Sequence, residues 1–254
     1  REDPHVRHPV FAANWKMNQA PADAKAFIRQ FLAYFPRQQD RTVLIFPSAL
    51  TLHAVTDALK DRPDVQVGVQ NIHWEDHGAF TGENSAPIAR AAGARYTLVG
   101  HSERRHLFGE TDEETRRKTA AAVRAGLTPL VCVGETLAQR DAGETESVVL
   151  RQLRAAVGAI DAQHIASSLV AYEPVWAIGT GKTASPADAG KVHAIIRAEL
   201  RALTGEREAA VPILYGGSVN SGNAAPLLAA ADVDGLLVGG ASLDAEGWAS
   251  IVRA

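Results

Sequence analysis

Eight short apolar segments, each rich in valine, isoleucine and leucine, recur along the whole chain. They are continuously apolar rather than alternating between apolar and polar residues, as is typical of parallel strands buried on both faces. The segments begin at Val10, Thr42, Val65, Tyr96, Thr128, Ser168, Pro212 and Gly235. Amphipathic helical patterns fill the intervals, so the sequence predicts eight alternating β and α units.

The number of these units and the length of the chain favour a closed barrel. The chain has 254 residues, and no low-complexity tract or shift in composition divides it. Eight βα units in this length fit one (β/α)₈ barrel, of the α/β class, better than two open sheets. We therefore predict a single barrel domain over residues 9–254, preceded by a polar leader at 1–8. A doubly wound open sheet is the alternative, with its chemistry at one crevice.

Composition excludes several classes of partner. The formal net charge of -3 provides no positive field to attract nucleic acid or an anionic membrane. Cys132 is the only cysteine, so no disulfide can form within the chain and a reducing, cytoplasmic location fits best. We see no apolar stretch long enough to span a bilayer and no signal-peptide pattern.

Polar and glycine residues follow many of the predicted strands. In a barrel the carboxyl ends of the strands share one mouth, so residues far apart in sequence converge on one pocket. The residues at these positions are Asn14, Lys16, His101, Glu173, Ser218, Gly239 and Gly240. The sequence therefore predicts a functional site at this mouth.

The segment AYEPVWAIGTGKTAS, residues 171–185, places a carboxylate before a glycine-containing loop. Pro174 biases Glu173 toward an extended backbone, while Gly179 and Gly181 let the loop bring its N–H groups close to a ligand. The segment therefore predicts a base beside a movable lid. A surface carboxylate before an ordinary strand-to-helix loop is the alternative.

The polar groups at the mouth suit proton abstraction beside a carbonyl. Such a carbon acid needs a base at the carbon and donors at the oxygen where negative charge develops. Glu173 is the candidate base, and His101 and Lys16 are the candidate donors. Backbone N–H groups of the turn after His101 are expected to disfavour an imidazolium, so a neutral donor is predicted. The alternative is a histidine at a strand end whose ring makes structural hydrogen bonds and has no catalytic role.

Glu103 admits two interpretations. It could orient Lys16 or the imidazole, or it could be a buried salt-bridge partner of Arg104. The sequence leaves both roles open.

Glycine turns after the seventh and eighth strands predict a phosphate site. Gly216-Gly217-Ser218 and Gly239-Gly240 lie where many barrels bind phosphate through loop amides, and Gly179 of the lid could complete the cradle. Either glycine pair alone is commonly just a tight turn. Their joint placement favours phosphate.

Two other patterns are rejected, and no metal site or cofactor is predicted. Gly181-Lys182-Thr183 imitates the end of a nucleotide-binding P-loop, but Trp176 occupies the required earlier glycine position. The run HWEDH at 73–77 resembles a zinc helix, yet Asp76 stands where glutamate is needed. A solvated loop is the better interpretation of this run.

The motifs together resemble the triosephosphate isomerase family along nearly the whole chain, with only the leader uncovered. They are NWKMN at 14–18, GAFTGE at 78–83, VGHSERR at 99–105, AYEPVWAIGTGKT at 171–183, YGGSV at 215–219 and LLVGGASL at 236–243. The resemblance implies a cofactor-free enzyme that interconverts dihydroxyacetone phosphate and D-glyceraldehyde 3-phosphate in glycolysis and gluconeogenesis. Another phosphosugar isomerase or lyase, or a silent phosphate-binding barrel, is the alternative.

The same resemblance assigns roles to residues. It makes Glu173 the proton shuttle and His101 the neutral electrophile, and it places Lys16 and Asn14 at the substrate oxygen. It gives the phosphate to Gly179, Ser218, Gly239 and Gly240. These roles belong to the well-described mechanism of the family, so they are not independent predictions.

The resemblance also implies a homodimer, in which the loop after the third strand reaches into the neighbouring subunit. Thr81 carries that role in GAFTGE. From the residues alone, the loop shows an apolar tip at Ala79-Phe80, which could instead fold back on its own subunit.

Overall fold

The computed structural model describes residues 8–180, 182–205, 207 and 211–254. Eight parallel strands close into a barrel in sequence order, which confirms the predicted fold. Val10 closes the barrel by pairing with Thr42 on one side and Gly235 on the other. The strands are β1 Val10–Asn14, β2 Thr42–Phe46, β3 Val65–Val69, β4 Tyr96–Val99, β5 Thr128–Val133, β6 Leu169–Tyr172, β7 Ile213–Tyr215 and β8 Gly235–Val238.

Helices follow the strands and form the outer layer. In the described part of the chain they are α1 Pro21–Tyr34, α2 Leu52–Ala58, α3 Ala86–Ala91, α4 Ser102–Leu107, α5 Asp112–Arg124, α6 Leu137–Asp141, α7 Thr145–Val157, α8 Ala162–Ala166, α9 Pro186–Thr204, α10 Ala224–Leu228 and α11 Ala245–Val252. Helix α9 begins with a capped first turn, since the Ser185 hydroxyl accepts the Asp188 N–H at 3.0 Å and Pro186 opens that turn. None of these helices is long and apolar enough to cross a membrane.

Alternation along the strands directs side chains to two cores. A smaller cluster of strand residues fills the barrel interior, and a larger one lies between the barrel and its helices. On β6, Leu169 and Ala171 belong to the interior cluster. Because side chains alternate along a strand, Glu173, two residues further, continues on the interior side. On β1, Val10 and Ala12 belong to the interior cluster, so the same alternation places Asn14 on the interior side at the end of the strand. The apolar interior thus forms the floor of the mouth.

A buried histidine on α9 makes the stability of the fold sensitive to acid. His193 Nδ1 donates to the Asp232 carbonyl at 2.9 Å, while Nε2 is buried without a partner. Burial lowers the pKa of His193 from 6.5 to about 4. The unfolded chain therefore takes up this proton first as pH falls, so the contribution to stability is complete above pH 6.5 and is lost toward pH 4.

We expect His193→Asn, which keeps a donor near the Nδ1 position, to flatten this pH dependence. The parental protein should lose about 3 kcal/mol more unfolding free energy than the variant between neutral pH and pH ~4. Urea unfolding at both pH values measures the difference. His53→Asn, at an exposed position of α2, is the matched control and should keep the parental slope. Equal slopes for His193→Asn and the parent would contradict the assignment.

Candidate active site

Glu173 lies buried at the mouth, directly after β6, with 2% of its surface exposed. Its backbone N–H donates to the Val133 carbonyl at 2.7 Å, which extends the β5–β6 ladder by one residue. One carboxylate oxygen accepts the Ser102 N–H at 3.1 Å, and the other lies 2.8 Å from His101 Nε2. A Cβ on Gly216 would lie 2.9 Å from Glu173 Cγ, so this glycine gives the carboxylate its space. The carboxylate is therefore held at a defined point.

His101 is the N-cap of α4, and this position fixes its ring. The Glu103 N–H donates to Nδ1 at 3.2 Å. An Nδ1 that accepts a hydrogen bond carries no proton, so a neutral ring has its proton on Nε2 and points it at Glu173. The turn predicted after His101 is thus observed as the start of α4, and its N–H group selects the tautomer.

The contact between Glu173 and His101 couples their pKa values. Burial raises the pKa of Glu173, but the charge and hydrogen bond of His101, with the Ser102 N–H, outweigh it and hold the pKa below its ordinary value. Burial lowers the pKa of His101, but the charge and hydrogen bond of Glu173, together with the charge of Glu103, outweigh this effect and raise the pKa. This direction is opposite to the sequence expectation, because the Glu173 carboxylate contacts the ring.

Lys16 holds a backbone conformation that is unusual for lysine, with φ of +53°. Its N–H donates to Asn14 Oδ1 at 3.0 Å, and its carbonyl accepts from Gln70 Nε2 at 2.8 Å. Its ammonium lies 2.6 Å from Glu103 Oε1. These contacts on both sides of the residue hold the strained conformation. The ammonium is thereby fixed at the mouth.

Of the two roles left open for Glu103, the contact with Lys16 is the one observed. Glu103 Oε2 also lies 3.7 Å from His101 Nδ1. Its side chain is 36% exposed, and Arg104 lies 3.7 Å from Glu110 instead, so the buried pairing of Glu103 with Arg104 is wrong.

The candidate residues surround one cavity of about 250 Å³. Its lining includes every residue predicted for catalysis or substrate binding: Asn14, Lys16, His101, Glu173, Gly179, Ser218, Gly239 and Gly240. Gly240 opens a 3₁₀ turn over Gly240–Ser242, which follows β8 at the cavity edge. Thr81 lies elsewhere, exposed in the loop after β3. The barrel therefore brings together residues up to 226 positions apart, from Asn14 to Gly240.

The segment after Glu173 is anchored at its two ends. It begins with a 3₁₀ turn, Val175–Ala177, whose last carbonyl accepts both the N–H and the hydroxyl of Ser218, at 3.1 and 2.6 Å. Near its far end, the Ala184 N–H donates to Tyr215 Oη at 3.4 Å. Gly179 has the left-handed φ of +67°, and Gly181 lies outside the described residues. The described residues between these anchors include Gly179, Thr180, Lys182 and Thr183, which are exposed, as residues of a lid over the cavity would be.

Sequence reasoning missed two polar groups that support the site. Glu135 is fully buried and accepts hydrogen bonds from Tyr172 Oη and Trp176 Nε1, each at 3.0 Å. Gln70 holds the Lys16 carbonyl. Both follow strands, β5 and β3, so their placement at carboxyl ends was the available signal.

The residues of the rejected zinc pattern make local contacts. His73 Nδ1 accepts the Glu75 N–H at 3.0 Å, and its ring stacks on Trp74 with ring centres 4.2 Å apart. Within the ranges that the structure describes, no group of three or more His, Cys, Asp and Glu side chains could hold a metal ion.

Fold and site together define a (β/α)₈-barrel protein with acid–base groups and glycine turns at the carboxyl ends of its strands. A family model described as "Triosephosphate isomerase" matches residues 9–254. The triosephosphate isomerase of Solibacter usitatus is 46% identical over 249 residues, covering 98% of this chain and 100% of the relative. That of Moorella thermoacetica is 47% identical over 248 residues, covering 98% and 99%.

A solved structure agrees with these relatives. The crystal structure of triosephosphate isomerase from Bartonella henselae superposes with a TM-score of 0.86 at 38% identity, covering 96% of this chain and 97% of that one. The chain belongs to the triosephosphate isomerase family.

Proposed function

We propose that this chain interconverts dihydroxyacetone phosphate and D-glyceraldehyde 3-phosphate through an enediolate. The observation that carries the proposal is the convergence of Glu173, His101 and Lys16 on one cavity edged by the glycine turns. Family membership supports the same reaction. A place in glycolysis and gluconeogenesis, and a cytoplasmic location, go with this proposal.

The proton moves between two neighbouring carbons. Glu173 removes a proton from the carbon beside the carbonyl, and the electron pair of that C–H bond moves toward the carbonyl oxygen. The N–H of His101 and the ammonium of Lys16 stabilise the charge that develops there. The hydroxyl proton of this enediolate passes to the other oxygen, a transfer that the His101 imidazole can carry, and return of the carbon-bound proton from Glu173 to the other carbon gives the isomer. Because Glu173 and His101 are paired at 2.8 Å, the substrate must separate them before either can act.

The phosphate binds beside these groups rather than among them. The Gly239-Gly240 turn, Ser218 and Gly179 line the same cavity. Backbone N–H groups at such turns bind a phosphate dianion without a charged side chain. The Ser218 hydroxyl donates to the lid at Ala177, so binding at Ser218 and lid position are coupled. Closure over the phosphate excludes water from the intermediate.

A coupled assay with either triose phosphate tests the function. We expect turnover by the purified chain in a buffer containing a metal chelator. Exchange of the substrate C–H with deuterated water separates a catalyst from a silent phosphate-binding protein, and identification of the product separates this reaction from that of another phosphosugar isomerase. A folded protein that turns over neither triose phosphate would overturn the proposal.

A homodimer is the assembly that we propose for this chain. Thr81 and Phe80 lie exposed in the loop after β3. Met17, Leu107 and Phe108, which are 95%, 74% and 70% exposed, offer apolar surface of the kind that a second subunit covers.

We expect Thr81→Arg to weaken the dimer about 100-fold or more, because it places an unpaired charge in the interface. Sedimentation should give a two-chain mass for the parent and a shift toward the single-chain mass for this variant. Ser147→Arg, at an exposed position of α7, is the control and should stay dimeric. A parental protein that sediments as one chain at all concentrations refutes the assembly.

A further inference from the structure

Arg105 is a buried arginine that lies behind the active-site wall rather than in the cavity. Its side chain is 7% exposed, and it extends from α4 toward the barrel. Nε donates to the Gly100 carbonyl at 2.8 Å, and one Nη donates to the Cys132 carbonyl at 3.3 Å. The other Nη lies 2.8 Å from Asp112 Oδ1 at the start of α5. One planar group thus joins the ends of β4 and β5 to a helix.

Both carbonyls belong to backbone that holds the reacting groups. Gly100 directly precedes His101 and Ser102, which contact the Glu173 carboxylate. Cys132 directly precedes Val133, whose carbonyl accepts the Glu173 N–H at 2.7 Å. The guanidinium therefore spans the gap between the segment that carries the imidazole and the segment that holds the base.

The backbone is shaped to admit this guanidinium. Gly100 has the left-handed φ of +72°, and a Cβ there would lie 2.7 Å from an Arg105 Nη. The absence of a side chain at Gly100 makes the space that the arginine occupies. Asp112 also accepts a hydrogen bond from Arg151 Nε at 3.0 Å, so Arg105 and Arg151 hold this carboxylate between them.

We propose that Arg105 is a positioning residue for the proton transfer. It sets the spacing between the β4 end, with His101 and Ser102, and the β5 end beneath Glu173. The inference rests on the proposed isomerase function. A lysine carries the same charge but lacks the planar fork, so it cannot hold both carbonyls and Asp112 in this geometry.

The test compares Arg105→Lys with Arg62→Lys. Arg62 also pairs with an aspartate, in its case through two hydrogen bonds of 2.9 and 2.8 Å to Asp64, and its side chain is 15% exposed. It lies before β3, at the end of the barrel opposite the mouth. Each variant loses a planar guanidinium group that pairs with an aspartate. Only Arg105, however, also contacts the backbone next to the active-site residues.

We expect Arg105→Lys to lower kcat about 10- to 100-fold, because small displacements of reacting groups have effects of this size. The inhibition constant of inorganic phosphate should stay within about twofold of the parental value, because the phosphate turns follow β7 and β8. Arg62→Lys should keep the parental kcat. Both constants are measured at a temperature where circular dichroism shows each variant folded.

Three results overturn the inference: an unchanged kcat in folded Arg105→Lys, an equal loss of kcat in Arg62→Lys, or parallel losses of kcat and phosphate binding. If Arg105→Lys does not fold, Asp112→Asn replaces it, with an expected fall in kcat of about threefold and unchanged phosphate inhibition. An unchanged kcat in that folded variant also refutes the role. No turnover by the parent would overturn the proposed function itself, and this inference with it.

Discussion

Glu173→Gln is expected to lower kcat by about 10²- to 10⁴-fold, the usual contribution of a positioned general base. Glutamine keeps the length of the side chain and an oxygen that can accept the Ser102 N–H. It removes the basicity that proton abstraction needs. Steady-state assays in both directions should show the same loss, because one carboxylate serves both carbons. Inorganic phosphate should inhibit the variant as it does the parent, since the glycine turns are unchanged.

Glu173→Asp is the matched control for basicity. It keeps the carboxylate but withdraws it by one methylene, so about 100-fold is the expected loss from misplacement alone. The expected order of turnover is parent, then Asp, then Gln. If the Gln variant is as active as the Asp variant, position rather than basicity limits the rate and the base is another group. An unchanged kcat in the Gln variant would refute the assignment of Glu173 altogether.

The residues that sequence reasoning found and those that it missed differ in how their role arises. Glu173, like Asn14, follows a continuously apolar run at a strand end, and chain topology alone brings such ends to one mouth. Gln70 and Glu135 also follow strands. Gln70, however, binds the carbonyl of Lys16, a residue with strained backbone, and Glu135 binds the indole N–H of Trp176. Those partners become visible only when distant segments are in place. The periodicity of a sequence predicts which face a residue occupies, but not which atom it meets.

The pKa shift of His101 also depends on a contact that the sequence does not reveal. The turn after His101 was correctly predicted, and it does direct an N–H group at the ring. The sign of the shift depends on Glu173, 72 residues later in the chain, which touches the other nitrogen. Local sequence therefore specified the tautomer, whereas a tertiary contact determines the pKa.

His101→Asn is expected to lower kcat by about 10²- to 10³-fold. Removal of one preorganised donor to a developing oxyanion costs about 3–4 kcal/mol in transition-state stabilisation. Asparagine is the informative replacement because its side-chain oxygen can accept the Glu103 N–H as Nδ1 does, and asparagine is a favourable N-cap. The cap of α4 is kept while the Nε2–H donor is lost. Far-UV circular dichroism should therefore show that the variant keeps the helical content of the parent.

A double variant separates this role from an indirect one. If Glu173 and His101 act on the same step, Glu173→Gln combined with His101→Asn should be little slower than Glu173→Gln alone, because groups that act as a unit are not additive. Losses that multiply would place His101 in a different step. A His101→Asn variant with kcat within about threefold of the parent would leave Lys16 as the main electrophile. A loss of kcat this small is far below the loss expected when a donor to a developing oxyanion is removed.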